Sequence, residues 1–135
     1  MAHIFKADIE AAINGLPASG AGLTNLEDGI LDAQNELDNL HAHERPAVLD
    51  VMVIITDGAP TTDNGPGTPT ARAAAQATSA KGAGIEIFAV GVGITVSNAN
   101  YLKASIVSPP PETHYADASD FSALQAALEG LPVCE

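Results

Sequence analysis

The chain has 135 residues and a mass of 13.7 kDa, the size of one ordinary domain with its own hydrophobic core. Hydrophobic residues make up 46% of the sequence and tryptophan is absent, which excludes a disordered chain and indicates a core of Ile, Val, Leu and Ala. Five Lys and Arg against 17 Asp and Glu give a net charge of −12, which argues against nucleic acid and anionic membranes as partners.

The N-terminal sequence lacks the basic and apolar regions of a secretory signal. The longest strongly apolar run, Val51–Ile55, is much shorter than the roughly 20 residues that span a bilayer, so no transmembrane segment is predicted. These features leave the compartment open. Cys134 is the only cysteine, so it is either a spare thiol or half of a disulfide whose other half lies in another chain.

Helical spacing of apolar residues recurs along the chain and predicts about five helices. They cover Ile9–Leu16, Leu26–Leu40, Ala71–Lys81 with a cap at Thr68, a segment capped by Ser97 that ends before Pro109–Pro111, and a last helix from about Asp120. Thr24–Glu27 has the form of a capping box, in which the Thr24 hydroxyl accepts the amide of residue 27. In the last helix, apolar side chains are expected on one face: Phe121, Leu124, Leu128 and Leu131.

Three segments between these helices predict strands: Ala47–Thr56, Ile85–Val92 and His114–Ala116. The first two are nearly continuous in apolar character, as is typical of parallel strands buried on both faces. Strands that alternate with helices predict an α/β fold, here a Rossmann-like three-layer α/β/α arrangement around a parallel sheet in the order 1-2-3. In such sheets ligands bind at the carboxyl ends of the strands.

Four segments, in this order and spacing, resemble the von Willebrand factor A (VWA) domain: Gly22–Asn25 (GLTN), Val53–Gly58 (VIITDG), Ile87–Gly93 (IFAVGVG), and Tyr115–Asp117 (YAD) followed by Phe121 and Leu124. The family carries a metal-ion-dependent adhesion site at the carboxyl edge of its sheet. The resemblance implies that Thr24 corresponds to the family's metal-binding Thr and Asp57 to the Asp that ends its fourth strand. It also implies that the chain corresponds to the C-terminal part of the family, a truncated domain without the first three strands.

The family's Asp-x-Ser-x-Ser motif is absent from the sequence. With one carboxylate and two hydroxyls missing from the metal's surroundings, we expect Mg²⁺ or another divalent cation to bind only weakly, in the millimolar range or worse. Simpler interpretations of the same residues remain open, because Thr24 can act only as a helix cap and Asp57-Gly58 only as a turn. The stretch 63–65 (DNG) could add an oxygen ligand but is more typical of a turn, and His41 with His43 lacks the spacing of a zinc site.

The sequence and the resemblance together favour a non-enzymatic module that binds a protein ligand, whose own carboxylate often completes the metal site in the family. The resemblance also favours an extracellular location and implies a free thiol at Cys134, because the usual disulfide partner precedes the family's first strand. A first alternative is a structural module that forms a homo-oligomer through the unpaired edge of Ala47–Thr56. A second is a small metal-dependent hydrolase, which is disfavoured because Asp57 and Asp117 end strands that the middle strand separates.

Overall fold

The computed structural model describes residues 22–38 and 48–132. Within them a three-stranded parallel sheet forms from β1 (Val51–Thr56), β2 (Glu86–Val92) and β3 (Tyr115–Ala118). The strand order is β1-β2-β3, and both pairings are parallel, which confirms the predicted sheet. The expected helix Ile9–Leu16, the end of the second helix at Leu40, and Cys134 lie outside the described residues.

The strand ends differ from the predicted ones because pairing, and not hydropathy, sets them. β1 begins at Val51 rather than Ala47, since Val51 is the partner of Glu86, where β2 starts. Val48 and Leu49 precede the paired region and are 50% and 59% exposed. The third strand covers Tyr115–Ala118 instead of His114–Ala116, because its pairing with β2 continues to Val92.

Five α-helices alternate with or follow the strands in the described part of the chain: α1 (Leu26–Asp38), α2 (Pro69–Gly82), α3 (Val96–Tyr101), α4 (Pro111–His114) and α5 (Leu124–Glu129). A π-helical turn, Leu102–Ile106, continues α3, and a 3₁₀ turn, Phe121–Ala123, leads into α5. Among these described helices, none has the length and apolar character needed to cross a membrane. The four predicted helices that fall within the described residues are present as α1, α2, α3 and α5, whereas α4 was not predicted.

Three details of the predicted helix starts are wrong. Asn25, not Thr24, caps α1, because its side-chain oxygen accepts the Asp28 amide at 3.2 Å and its carbonyl accepts the Gly29 amide. Thr95 rather than Ser97 caps α3 by accepting the Asn98 amide at 3.3 Å. A third error concerns the last helix, whose first turn is 3₁₀, so that the Phe121 side chain is 69% exposed instead of lying on the buried face.

The helices lie on both faces of the sheet and divide the core into two clusters. On the first face α1, α2 and α3 cover β2, and the cluster includes Ile87 and Ala89 together with the alanines Ala73, Ala77 and Ala80 of α2. On the second face α5 and the 3₁₀ turn pack against Phe88, Val90 and Val92. β2 is therefore buried on both faces, as predicted, whereas β1 is an edge strand among the described residues and leaves Val53 and Ile55 exposed.

Candidate functional site

The carboxyl end of β1 presents Asp57 to solvent. Thr56 closes the strand with a tight turn, in which its hydroxyl donates to the Gly58 carbonyl at 2.8 Å and accepts the Gly58 amide at 3.2 Å. Thr56 is buried, whereas Asp57 between these two residues is exposed. Its carboxylate makes no hydrogen bond or ion pair with any other residue that the structure describes, so all of its acceptor capacity is available to a ligand.

Thr24 lies just before α1 and is held in place through its backbone. Its amide donates to the Thr61 hydroxyl at 2.7 Å, and its carbonyl accepts the amides of Thr61 at 2.9 Å and Thr62 at 3.2 Å. These bonds join the start of α1 to the long loop after β1, 37 residues further along the chain. The Thr24 hydroxyl forms none of them and caps no helix, which leaves it free for another partner within the described part of the molecule.

Thr24 and Asp57 line one cavity of about 360 Å³, together with Gly22 and Leu23. The structure therefore brings together the two residues that the sequence singled out. A hydroxyl and a carboxylate oxygen are suitable ligands for a hard divalent cation, which prefers oxygen donors. Over residues 22–38 and 48–132, no group of three or more His, Cys, Asp and Glu side chains is placed to hold a metal ion, so the pair is at most part of a coordination shell.

A polar network supports this cavity from the side of α1. The Asn25 amide group donates to Asp28 at 2.8 Å and to the Asn64 side chain at 3.1 Å, and the Asn64 side chain donates to Asp28. Asp63 accepts the Gly65 amide at 3.3 Å, which is the turn that was expected at residues 63–65. The loop after β1 is thus attached to α1 through side chains as well as through the Thr24 backbone.

An ion pair between α1 and α2 completes the network. The Arg72 guanidinium donates to both carboxylate oxygens of Glu27, at 2.8 and 2.5 Å, in the bidentate geometry that makes such pairs strong. These hydrogen bonds lower the pKa of the Glu27 carboxyl by stabilising its charged form. Only 12% of the Glu27 side chain is accessible. Sequence reasoning missed this pair, because 45 residues separate its members and neither lies in a motif.

Asp117, the other acid at a strand end, does not join Asp57. It lies at the end of β3, and β2 runs between β1 and β3. Asp117 accepts the hydroxyl of Tyr115 at 2.5 Å and lines separate cavities, away from Thr24. The two acids that a hydrolase would have needed therefore face different surroundings.

The arrangement defines a parallel α/β domain with a polar cavity at the carboxyl edge of its sheet. The sequence model of the von Willebrand factor type A domain matches residues 2–130, and the chain belongs to this family. Among solved structures it is similar to the pilus adhesin SpaC from Lactobacillus rhamnosus GG, with a TM-score of 0.70 and 19% sequence identity. The superposition covers 91% of this chain but only 20% of the adhesin chain, so at this identity it supports the fold. Among curated proteins, no sequence matches this chain.

Proposed function

We propose that the chain is a protein-binding module of the adhesion type, which contacts its ligand at the carboxyl edge of the sheet around Thr24 and Asp57. The observation that carries the proposal is the cavity shared by these two residues in a member of the VWA family. The similarity to part of a pilus adhesin, at 19% identity, supports the α/β fold that places these two residues at one edge of the sheet. An accessible carboxylate on the ligand protein would bind at this cavity to a divalent cation that Thr24 and Asp57 hold.

A divalent cation such as Mg²⁺ would be held by the Thr24 hydroxyl and the Asp57 carboxylate, with water and the ligand as further donors. When bound, the cation would supply a positive charge that attracts the ligand's carboxylate. The protein's own contribution is to keep the Thr24 hydroxyl near the Asp57 carboxylate. It does so through the backbone hydrogen bonds that join Thr24 to Thr61 and Thr62 in the loop after β1. With two protein ligands and one negative charge, the affinity should be in the millimolar range.

A binding role is favoured over catalysis by the separation of the acids. General acid and base groups must reach the same reacting atoms, whereas Asp57 and Asp117 end strands that lie on opposite sides of β2. Asp57 is the single titratable side chain that lines the cavity of Thr24, and within the described part of the chain the Thr24 hydroxyl makes no hydrogen bond to it. Neither group is therefore arranged as an activated nucleophile.

The cation site can be tested by adding Mn²⁺ to the isotope-labelled protein and measuring the paramagnetic broadening of backbone amide signals. We expect broadening centred on Thr24 and Asp57, with half-saturation at roughly millimolar Mn²⁺. Asp57→Asn should reduce the affinity at least about tenfold, because it removes the single charged ligand, and Thr24→Val should reduce it less. Asp63→Asn removes an acid from the same loop outside the cavity and serves as the matched control.

Broadening that persists unchanged in Asp57→Asn would contradict the assignment. A micromolar constant from calorimetry that vanishes in Asp57→Ala would show instead that the site is complete and strong. Binding of the cation to the control variant should equal that of the unmodified protein. Loss of affinity in Asp63→Asn alone would place the site in the loop and not in the cavity.

A second candidate function is self-association through β1. Among residues 22–38 and 48–132 no strand pairs with the outer edge of β1, and the side chains of Val53 and Ile55 are exposed. Both features favour self-association, because an apolar edge strand is a template for pairing with another chain. The simplest closed arrangement is a two-fold dimer with antiparallel β1 strands and a six-stranded sheet. Light scattering would then give a mass near twice 13.7 kDa.

A further inference from the structure

A second cavity, of about 560 Å³, lies at the same edge of the sheet on the side of β3. Residues after β2, at the end of β3 and on α3 line it, and a neighbouring cavity of about 350 Å³ shares two of its side chains, Lys103 and Asp117. The larger volume lies within the range of roughly 300–1,000 Å³ that small-molecule sites occupy. We name this cavity the β3 crevice; its walls include Ile94, Val96, Ala99, Asn100, Lys103 and Asp117.

Lys103 is the cation of the β3 crevice, and its hydrogen-bond donors are unused. Of the other described cations, Arg72 is bound to Glu27, and Lys81 donates to the carbonyls of Ile106 and Val107. The Lys103 ammonium lies 4.6 Å from the centroid of the Tyr115 ring and makes no hydrogen bond or ion pair with any described residue. The aromatic face positions the charge without occupying its three N–H groups.

Asp117 is the anion of the β3 crevice, and it is hydrogen-bonded to Tyr115. One Asp117 oxygen accepts the Tyr115 hydroxyl at 2.5 Å, which leaves the second oxygen available. Burial and this hydrogen bond raise the pKa of Tyr115, so the phenol stays a neutral donor. Lys103 and Asp117 line the same cavity without forming an ion pair with each other, so the crevice presents two separate, opposite charges.

Gly91 on β2 leaves the space in which the Tyr115 hydroxyl lies beside Asp117. A Cβ atom at Gly91 would be 2.5 Å from the Tyr115 hydroxyl and 2.4 Å from the Ile94 Cδ1 atom, both far inside normal contact distance. Because Gly91 has no side chain, the Tyr115 phenol can reach Asp117, and Ile94 can close one wall of the crevice. Ile94 and Ala99 make that wall apolar, and the exposed Val96 extends it at the rim.

The charges decide which ligand fits. A simple anion would meet Lys103 but would be repelled by Asp117 and by the net charge of −12. A simple cation would be attracted by Asp117 and by the net charge, but it would be repelled by Lys103 and would leave the Lys103 ammonium without a partner. A ligand with one group of each sign gains both attractions, and an aliphatic body matches the apolar wall. We propose that the β3 crevice binds an aliphatic zwitterion with the chemistry of a free amino acid such as leucine, its carboxylate on Lys103 and its ammonium on Asp117.

The proposal can be tested with four forms of one probe: leucine, N-acetylleucine, leucinamide and N-acetylleucinamide, which are a zwitterion, an anion, a cation and a neutral molecule. Chemical shifts of the labelled protein would be followed near pH 7 in EDTA, so that a cation at Thr24 and Asp57 cannot contribute. We expect leucine to shift the amide signals of Gly93, Asn100 and Ser119, with a dissociation constant on the order of 1 mM. Each of the other three probes should bind at least about tenfold more weakly, because each lacks one or both charges.

Two variants remove one charge each and keep the shape of the crevice. Lys103→Met keeps a long stem over Tyr115, and Asp117→Asn keeps an oxygen that can accept the Tyr115 hydroxyl. Each should weaken leucine binding at least about tenfold, since each removes one charge-assisted interaction. Glu129→Gln makes the same change of net charge as Asp117→Asn on α5, outside the crevice, and should leave the affinity unchanged. Unchanged melting temperatures would show that all three variants are folded.

Three results would overturn the proposal. One is the absence of any shift with leucine at about 50 mM, far above the expected constant. Another is equal binding of leucine and N-acetylleucinamide, which would reduce the crevice to an apolar surface. Full leucine affinity in Lys103→Met or in Asp117→Asn would also contradict it. Because these measurements are made in EDTA, they are independent of the cation site proposed for Thr24 and Asp57.

Discussion

The two faces of the sheet differ in how completely helices cover them. On the face covered by α1, α2 and α3, Met52 of β1 and Ile87 of β2 are both buried, 6% and 0% exposed. The face covered by α5 buries Phe88 of β2, but Val53 and Ile55 of β1 are 39% and 47% exposed. The covering helices, and not the side chains of the strand, make this difference, because both faces of β1 carry the same kind of residue.

This comparison explains why hydropathy alone was misleading for β1. A continuous apolar run is typical of a strand buried on both faces, and that description is correct for β2. In the described residues β1 has helices over one face and a hydrogen-bonded partner on one edge. Its apolar second face is the feature that a further chain segment or a second copy of this chain could cover.

The largest expected effect comes from shortening a side chain on the fully covered face. Ile87→Ala should lower the free energy of unfolding by about 2–5 kcal/mol, because it leaves a cavity in a closed core. Ile55→Ala makes the same chemical change on the open face and should cost below about 1 kcal/mol. Urea unfolding of both variants at low protein concentration would measure the difference.

Equal losses for the two isoleucines would contradict the comparison, since they would mean that Ile55 is as well covered as Ile87. If the loss of unfolding free energy caused by Ile55→Ala grows with protein concentration, the open face is covered only in an associated form. Such growth indicates that association buries the open face, because binding of a second chain adds to the apparent stability by mass action.

An intermediate effect is expected from placing a charge on the open face. Val53→Lys should abolish self-association and leave the fold intact, because a lysine on an edge strand opposes pairing and can extend into water. Light scattering across a range of concentrations should show the dimer in the unmodified protein and a mass near 13.7 kDa in the variant. Ala75→Lys adds the same charge at an exposed position of α2 and should keep the dimer.

A monomeric unmodified protein at micromolar concentration would contradict self-association directly. Dimers that persist in Val53→Lys would move the interface away from β1. Dissociation of the Ala75→Lys control would show that net charge, and not the edge of β1, governs association.

The smallest effect concerns pH and the ion pair that fixes α1 to α2 on the covered face. Arg72 lowers the pKa of Glu27 in the folded protein, so the pair adds stability above the unfolded pKa of about 4.3 and loses it as the pH falls through the lower, folded value. Glu27→Gln should therefore lower the melting temperature at neutral pH. That difference should shrink as the pH falls from about 5 to about 2.

Thermal unfolding monitored by circular dichroism at several pH values would follow this change. Glu129→Gln removes a carboxylate that hydrogen-bonds to Gln125 and pairs with no described cation, and serves as the control. A melting difference for Glu27→Gln that stays constant down to pH 2 would show that the carboxylate's charge contributes nothing to the interaction with Arg72.

Strand order, parallel pairing and the approximate positions of α1, α2, α3 and α5 were predictable because they follow from local patterns and from the handedness of crossovers. The end of β1 at Thr56 was predicted for the same reason, since Asp57 and Gly58 interrupt the apolar run. The start at Val51 was not predictable, because it depends on where β2 begins to pair. A strand's sequence does not contain the position of its partner.

The candidate site was predictable only in part, and for a similar reason. Thr24 and Asp57 follow from the resemblance to the VWA family and share a cavity in the structure. The role of Asn25 as the cap of α1 was missed because two neighbouring residues could both cap a helix, and only the geometry distinguishes them. Lys103 was missed because it lies in no motif. The role of Tyr115, which belongs to the YAD segment, was missed because its cation–π contact with Lys103 joins separate elements.

Three buried alanines of α2 set the distance between this helix and the sheet, and this distance also affects the position of Thr24. Ala73, Ala77 and Ala80 are completely buried, so a larger residue at any of them would have to push the helix away from the sheet. Arg72 lies in the first turn of α2. Its two hydrogen bonds to Glu27 hold the start of α1, and with it the neighbouring Thr24, in place. A larger residue at one of these alanines would therefore also shift Thr24, although the alanines do not line the cavity that Thr24 shares with Asp57.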